Sequence, residues 1–315
     1  MILCVTLNSC LDKTLEVPTW HPGQHVRGIG VREVVGGKGN NVARVLHALG
    51  QGEVRPVTFL GGHVGRRCLE LFQQEDGLDP IVVDTEAPTR EILTVRSSTP
   101  CEPTAFFDPN PAISAAEAER LLSVVRDQLN TGRVRALTLS GSSPAASTHG
   151  LFQAMLEAAC IHAVPTFLDT YGPALACVRR AWPHYLQLNR TEAAQRLGVE
   201  NPQDSDLVGL TRDWLHRGAA CAVITNGGEA AWVGFDGAIH RLVPPKVTVT
   251  NPVGSGDSFL AGMVDGSLRG LDFESRLKFA SACGASNAMS WDAGRVEPRA
   301  LPELMEQARL RPGGD

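Results

Sequence analysis

Asn251-Pro252-Val253-Gly254-Ser255-Gly256-Asp257-Ser258, followed at once by an apolar helical pattern, is the stretch on which the reading of this chain turns. Small residues and glycines at a helix start leave backbone N–H groups uncovered, and the helix dipole adds partial positive charge there. Such a turn suits an anion. Asp257 stands beside the place where that anion would rest. An anion cradle next to a carboxylate is what phosphoryl transfer to a hydroxyl needs. Alone, the same residues also make an ordinary helix cap, since Ser, Asp and Gly are common there. A second half of the site, elsewhere in the chain, has to decide.

Working outward, short apolar runs alternate with amphipathic segments. Ile2–Leu7, Val57–Leu60, Leu137–Ser140, Thr166–Asp169, Tyr185–Leu188 and Cys221–Thr225 read as buried strands. Val42, Val45, Leu46 and Leu49 share one helical face, with Gly50 as a stop. Ser114 and Glu117 form a capping box ahead of Leu121, Leu122, Val125 and Leu129. This alternation predicts an α/β fold whose mostly parallel central sheet is covered by helices on both faces. Residues 9–35 and 88–111 break the rhythm and include strand-like pieces such as Arg32–Val35 and Glu91–Arg96. They are expected to pair into a small separate sheet serving as a lid over a cleft, a dimer surface, or both. The tail, residues 311–315, is expected to fray.

Composition narrows the function classes. At 315 residues, 43% of them hydrophobic, the chain can bury a sizeable core. A net charge of −5 argues against a nucleic-acid surface. The longest apolar runs are strand-length, far short of a membrane span, and no basic segment precedes an apolar one as a secretory signal would. The eight cysteines include no Cys-x-x-Cys pair and read as small buried hydrophobes in a reducing cytoplasm.

The second half comes from Val35-Gly36-Gly37-Lys38-Gly39-Asn40-Asn41, ahead of the first long helix. Paired glycines let a ligand approach the backbone closely, Asn41 offers both a donor and an acceptor to hydroxyls, and Lys38 adds a cation. The spacing is not that of a Walker A loop. Nor is it a dinucleotide fingerprint, because the first strand runs into Asn8-Ser9-Cys10 with no glycine.

Four segments occur in order: residues 6–14 (Thr-Leu-Asn-Ser-Cys-Leu-Asp-Lys-Thr), residues 36–43 (Gly-Gly-Lys-Gly-Asn-Asn-Val-Ala), Asn189-Arg190-Thr191-Glu192, and Val253-Gly254-Ser255-Gly256-Asp257. Together, from residue 1 to about 290, they resemble the PfkB carbohydrate kinases of the ribokinase-like superfamily, closest to the group of 1-phosphofructokinases and tagatose-6-phosphate kinases. The resemblance implies one kinase domain over 1–315, a three-layer sandwich with a small β-sheet lid, acting in the cytoplasm on ATP with Mg²⁺ and pairing as a homodimer through the lid. It makes Asp257 the catalytic base and Gly254, Ser255 and Gly256 the anion hole. Asp12, Asn41, Gly36, Gly37, Lys38 and Ser140 would face the sugar. Asn189, Thr225 and Gly227 would serve the nucleotide phosphates, Asn287 would lie near the adenine, and Glu192 would place Mg²⁺ through water. Asn189 could equally be the N-cap of the helix that carries Glu192.

A phosphorylated acceptor brings negative charge that needs matching cations. The resemblance places Arg27 and Arg90 near an acceptor phosphate, which favours a ketohexose phosphate over a free sugar. Fructose 1-phosphate is the leading expectation, with tagatose 6-phosphate and fructose 6-phosphate as rivals. Asn8-Ser9-Cys10, Glu91, Pro252 and Ala230 depart from the family pattern and bear on the acceptor. A sugar-phosphate sensor without turnover would have no use for Asp257. The helix dipole is expected to keep that aspartate ionised.

Overall fold

The computed structural model describes residues 1–97 and 103–313. Strand β1 (Ile2–Thr6) is followed by β2 (Cys10–Val17), β3 (Gly30–Gly36) and helix α1 (Lys38–Ala48). Next come β4 (Val54–Leu60), α2 (Gly62–Gln74), β5 (Ile81–Asp84), β6 (Arg90–Ser97) and β7 (Thr104–Phe107). The middle of the chain alternates through α3 (Ala115–Asn130), β8 (Ala136–Ser140), α4 (Leu151–Ile161), β9 (Thr166–Asp169), α5 (Gly172–Ala176), β10 (Tyr185–Asn189) and α6 (Arg190–Leu197). It closes with α7 (Asp204–Arg217), β11 (Cys221–Asn226), β12 (Glu229–Phe235), β13 (Ala238–Val243), α8 (Ser255–Leu268), α9 (Phe273–Met289), α10 (Leu301–Gln307) and β14 (Arg309–Pro312).

Each apolar run read as a strand falls on one, with Leu7 lying one residue past the end of β1. The Ser114–Glu117 capping box is present at the start of α3. In the large sheet β5, β4, β1, β8, β9, β10 and β11 run parallel in that order, and β12, β13 and β14 extend it antiparallel. The sheet has a core on each face. Leu3 and Val5 of β1 join Leu121, Phe152 and Trp214 of α3, α4 and α7. Ile2 and Cys4 join Val42, Phe72, Leu260 and Leu277 of α1, α2, α8 and α9. Continuous apolar runs are what a strand buried on both faces requires. Arg311 and Pro312, expected in a frayed tail, instead pair with Arg241 and His240. Leu310, packed against the core beneath, supplies the apolar anchor that holds them. The last two residues, 314 and 315, lie outside the described residues.

The two stretches that broke the rhythm do form a separate small sheet, in the order β3, β2, β6, β7; residues 98–102 of the second lie outside the described residues. In it β2 runs parallel to β6, so Cys10 stands beside Arg90 and Asp12 beside Ile92. The described cysteines are free thiols. Most are buried as expected, but Cys160 on α4 is exposed.

Parallel strands end at one edge of a sheet, and open α/β sheets bind ligands there. Here Thr6 stands beside Ser140, Ser140 beside Asp169, and Asn189 beside Thr225. This edge gathers residues far apart in the chain.

Candidate active site

Asp257 lies in the first turn of α8, which starts directly after Gly254. Gly254 has φ of 83°, a left-handed conformation that favours glycine, and no side chain caps the helix. The amides of Gly256 and Asp257 have no protein acceptor among the described residues. A helix start so left open retains its donors for an external anion.

Across from it, α1 begins after Gly37, whose φ is 115° and where a Cβ would come 2.7 Å from the Thr6 methyl. The two glycine segments meet. Asn41 of α1 donates from Nδ2 to Oδ2 of Asp257 at 2.8 Å. Asn41 is fixed in turn by Arg44, which donates to its Oδ1 at 2.8 Å. That guanidinium is buried, grips both carboxylate oxygens of Asp76 at 2.7 and 2.8 Å, and donates to the Val35 carbonyl at 2.9 Å.

Lys38 donates to Asp169 Oδ1 at 2.7 Å and to Glu192 Oε1 at 2.8 Å. Gln187 of β10 donates to Asp169 Oδ2 at 3.2 Å and to the Gly256 carbonyl at 2.9 Å, tying the α8 turn to the strand edge. The Tyr185 hydroxyl donates to Gln187 Oε1 at 2.8 Å and so holds that amide in place. Three carboxylates thus gather near one ammonium.

The charge on Asp257 differs from expectation. The side chain is 6% exposed, and burial pushes its carboxyl up to about 7; Lys38 and the Asn41 hydrogen bond oppose the rise, while Asp169 and Glu192 add to it. Desolvation outweighs the helix dipole. Asp169 is raised as well, chiefly by burial, and burial raises Asp12, against which the charges of Arg44 and Arg90 work.

The remaining expected residues fall on two bodies. Asp12 and Arg90 sit on the small sheet, where the buried Nε of Arg90 has no partner among the described residues. Gly36 ends β3 and is buried. Ser140 ends β8, fully buried, with its hydroxyl likewise unpartnered among the described residues. A buried polar atom without a partner is costly unless a ligand or water satisfies it. Arg27 is exposed on the segment joining β2 to β3 and makes no ion pair among the described residues.

Asn189 is the N-cap of α6, in a reciprocal capping box with Glu192, so the capping alternative holds in the structure. Thr225 and Gly227 stand at the turn from β11 into β12, on the same edge. Asn287 has zero exposure. It donates to the Val253 carbonyl at 2.8 Å and to Ser255 Oγ at 3.2 Å, and accepts from the Gly294 amide at 2.7 Å. Its amide is thus hydrogen-bonded within the protein, where it braces the α8 turn.

Sequence reading missed Asp169, Gln187 and Arg44. Asp169 had a signal, as an acid closing a parallel strand. Gln187 had a weaker one, a polar residue inside an apolar run. Arg44 had none, since an arginine on a helix is ordinarily a solvated one.

A two-core sheet with a small companion sheet defines a ribokinase-like fold, and at its strand edge lies an uncapped helix start with a carboxylate in its first turn. The model of the pfkB family carbohydrate kinases matches residues 1–296, and the chain belongs to that family. Solved structures share the fold. A Thermotoga maritima protein described as a possible 1-phosphofructokinase superposes with a TM-score of 0.87 at 20% identity, over 100% of both chains. Phosphofructokinase-2 of Escherichia coli, in complex with potassium, gives 0.87 at 22% identity over 97% of this chain and 98% of the other. Thermotoga maritima ribokinase gives 0.73 at 18% identity over 97% and 99%. The chain is a carbohydrate kinase. No helix among the described residues is long and apolar enough to cross a membrane.

Proposed function

We propose that this kinase transfers the terminal phosphoryl group of ATP to a ketohexose phosphate, with fructose 1-phosphate as its acceptor and fructose 1,6-bisphosphate as product. The observation that carries the transfer is Asp257, held by Asn41 beside an uncapped helix start. In this reading Asp257 accepts the proton of the attacking hydroxyl while the Gly254–Gly256 turn receives the moving phosphoryl group. Such chemistry depends mainly on alignment and charge neutralisation.

The acceptor end rests on the small sheet, which we read as a lid within one kinase domain. Asp12 holds hydroxyls together with the Gly36–Gly37 backbone and Ser140. Arg90, half-buried, meets the acceptor phosphate with a guanidinium whose buried Nε has no partner among the described residues. Arg27 is the second cation this reading calls for. The Escherichia coli phosphofructokinase-2 has been solved with fructose 6-phosphate bound, which keeps that sugar and tagatose 6-phosphate as rivals.

Mg²⁺ fits the donor set: the carboxyl groups of Asp169, Glu192 and Asp257 share the ammonium of Lys38 and offer more acidic oxygens than it engages. No group of three ligating side chains could wrap a metal among the described residues, so the ion would be held through phosphates and water near Glu192. When bound it supplies neutralisation of phosphate charge. Asn189, Thr225 and Gly227 serve the nucleotide phosphates at the same edge.

The test is an ADP-release assay across fructose 1-phosphate, fructose 6-phosphate, tagatose 6-phosphate, free ribose and a nucleoside. Highest kcat/KM on fructose 1-phosphate is expected. Preference for an unphosphorylated acceptor overturns the role of Arg90.

A further inference from the structure

The segment leaving α9, Ser290-Trp291-Asp292-Ala293-Gly294, has no part in the roles above. It is held from two sides. On the small sheet, Arg32 of β3 donates from Nε to Asp292 Oδ1 at 2.6 Å, and Arg96 of β6 lays its guanidinium 3.7 Å from the centre of the Trp291 ring. On the large body, Asn251 donates to the Trp291 carbonyl at 2.8 Å. The segment also presses on the reacting turn: a Cβ at Gly254 would lie 2.8 Å from the Gly294 amide, and one at Gly294 would lie 3.0 Å from Asn41. The Asp292 charge reaches Asp12, whose carboxyl it helps to raise.

Two bodies must therefore be brought into register. Asp12 and Arg90 ride on β2 and β6 of the small sheet, while Asp257 and the anion turn ride on α8. Arg32 and Arg96 belong to the same sheet as Asp12 and Arg90; Trp291 is tied by Asn251 to the segment that enters the anion turn. The geometry points to Trp291 and Asp292 as positioning residues that clip the small sheet to the phosphoryl-transfer turn and so set affinity for the acceptor. The inference rests on the reading that Asp12 and Arg90 hold that acceptor.

The exposure of these contacts separates positioning from plain bracing. The Arg32 side chain is 52% exposed against 14% for its partner Asp292, and Trp291 is 42% exposed, so each contact has one side in solvent. Ion pairs and cation–π contacts at such sites contribute little to fold stability. Each can still change a binding constant by roughly several-fold, because a small free energy enters the constant exponentially.

The experiment is steady-state kinetics with fructose 1-phosphate and ATP, alongside thermal melting. Asp292→Asn and Trp291→Ala should raise KM for the sugar phosphate by roughly three- to tenfold, leave KM for ATP nearly unchanged and keep the melting temperature. Trp291→Phe keeps an aromatic face and should recover most of the affinity. Exchanging the charges, Arg32→Asp with Asp292→Arg, should do better than either exchange alone. An unchanged acceptor KM in active variants overturns the clip. So does a rise of both KM values together, or a melting temperature that falls in step with KM. Wild-type enzyme with no turnover of any sugar phosphate fails the functional reading instead, and is distinguishable because no acceptor KM exists to compare.

Discussion

Asp257 stands where two influences compete: the start of α8 favours its charge, and burial opposes it, with burial prevailing to bring it to about 7. Since the base must be unprotonated to accept a proton, kcat/KM should climb with a limb near that value. Asp257→Asn should remove the limb and lower kcat by roughly 10²–10⁴-fold while leaving ATP binding nearly intact. Nucleotide titration beside turnover checks both, and an unchanged kcat sinks the assignment. Stability follows with a defined sign. Between 3.8 and about 7 the folded chain keeps a proton that the unfolded chain has lost, so this residue makes stability fall as pH rises through that window. Asp257→Asn should therefore melt a few degrees above the parent in mildly alkaline buffer. The gain should shrink on acidification below the window, as scanning calorimetry would show.

At the scale of elements, α1 matters through its first two turns. Its start receives Lys38 and the paired glycines, and one turn on, Arg44 fixes Asn41 against Asp257. Arg44→Met would leave the buried Asp76 with Arg295 as its cation among the described residues and would leave Asn41 Oδ1 without the Arg44 donor. Removing one partner of a buried pair costs about 3–5 kcal/mol. Urea denaturation should read that loss, and Arg44→Met with Asp76→Leu together should recover much of it. An Arg44→Met loss below about 1 kcal/mol would mean that the pair is not a brace. The α8 turn is likewise secured by side chains from elsewhere: Gln187 from β10 and Asn287 from α9.

At the scale of the molecule, the small sheet carries apolar groups at its rim, with Ile29 63%, Val31 59%, Phe106 55% and Phe107 64% exposed. Exposed apolar groups along both outer strands of an open sheet mark edges suited to an interaction. We expect a second copy of this chain to cover them. Phe106→Ser with Phe107→Ser should shift sedimentation toward a monomer, and a parent that already sediments as a monomer would refute the lid-mediated dimer.

The chain by itself determined the layers and the two glycine turns. Apolar runs of strand length and helices with one apolar stripe are local patterns, and local patterns are readable residue by residue. Gly37 and Gly254 were legible for the same reason, because left-handed backbone at a helix start demands that residue type nearby in sequence. Tertiary structure decided the rest. Asp169, Gln187 and Arg44 became parts of the site only when parallel strands brought their ends together and α1 was laid against α8. It also decided the protonation of Asp257 and the internal role of Asn287, since desolvation depends on what surrounds a group in space and not on its neighbours along the chain.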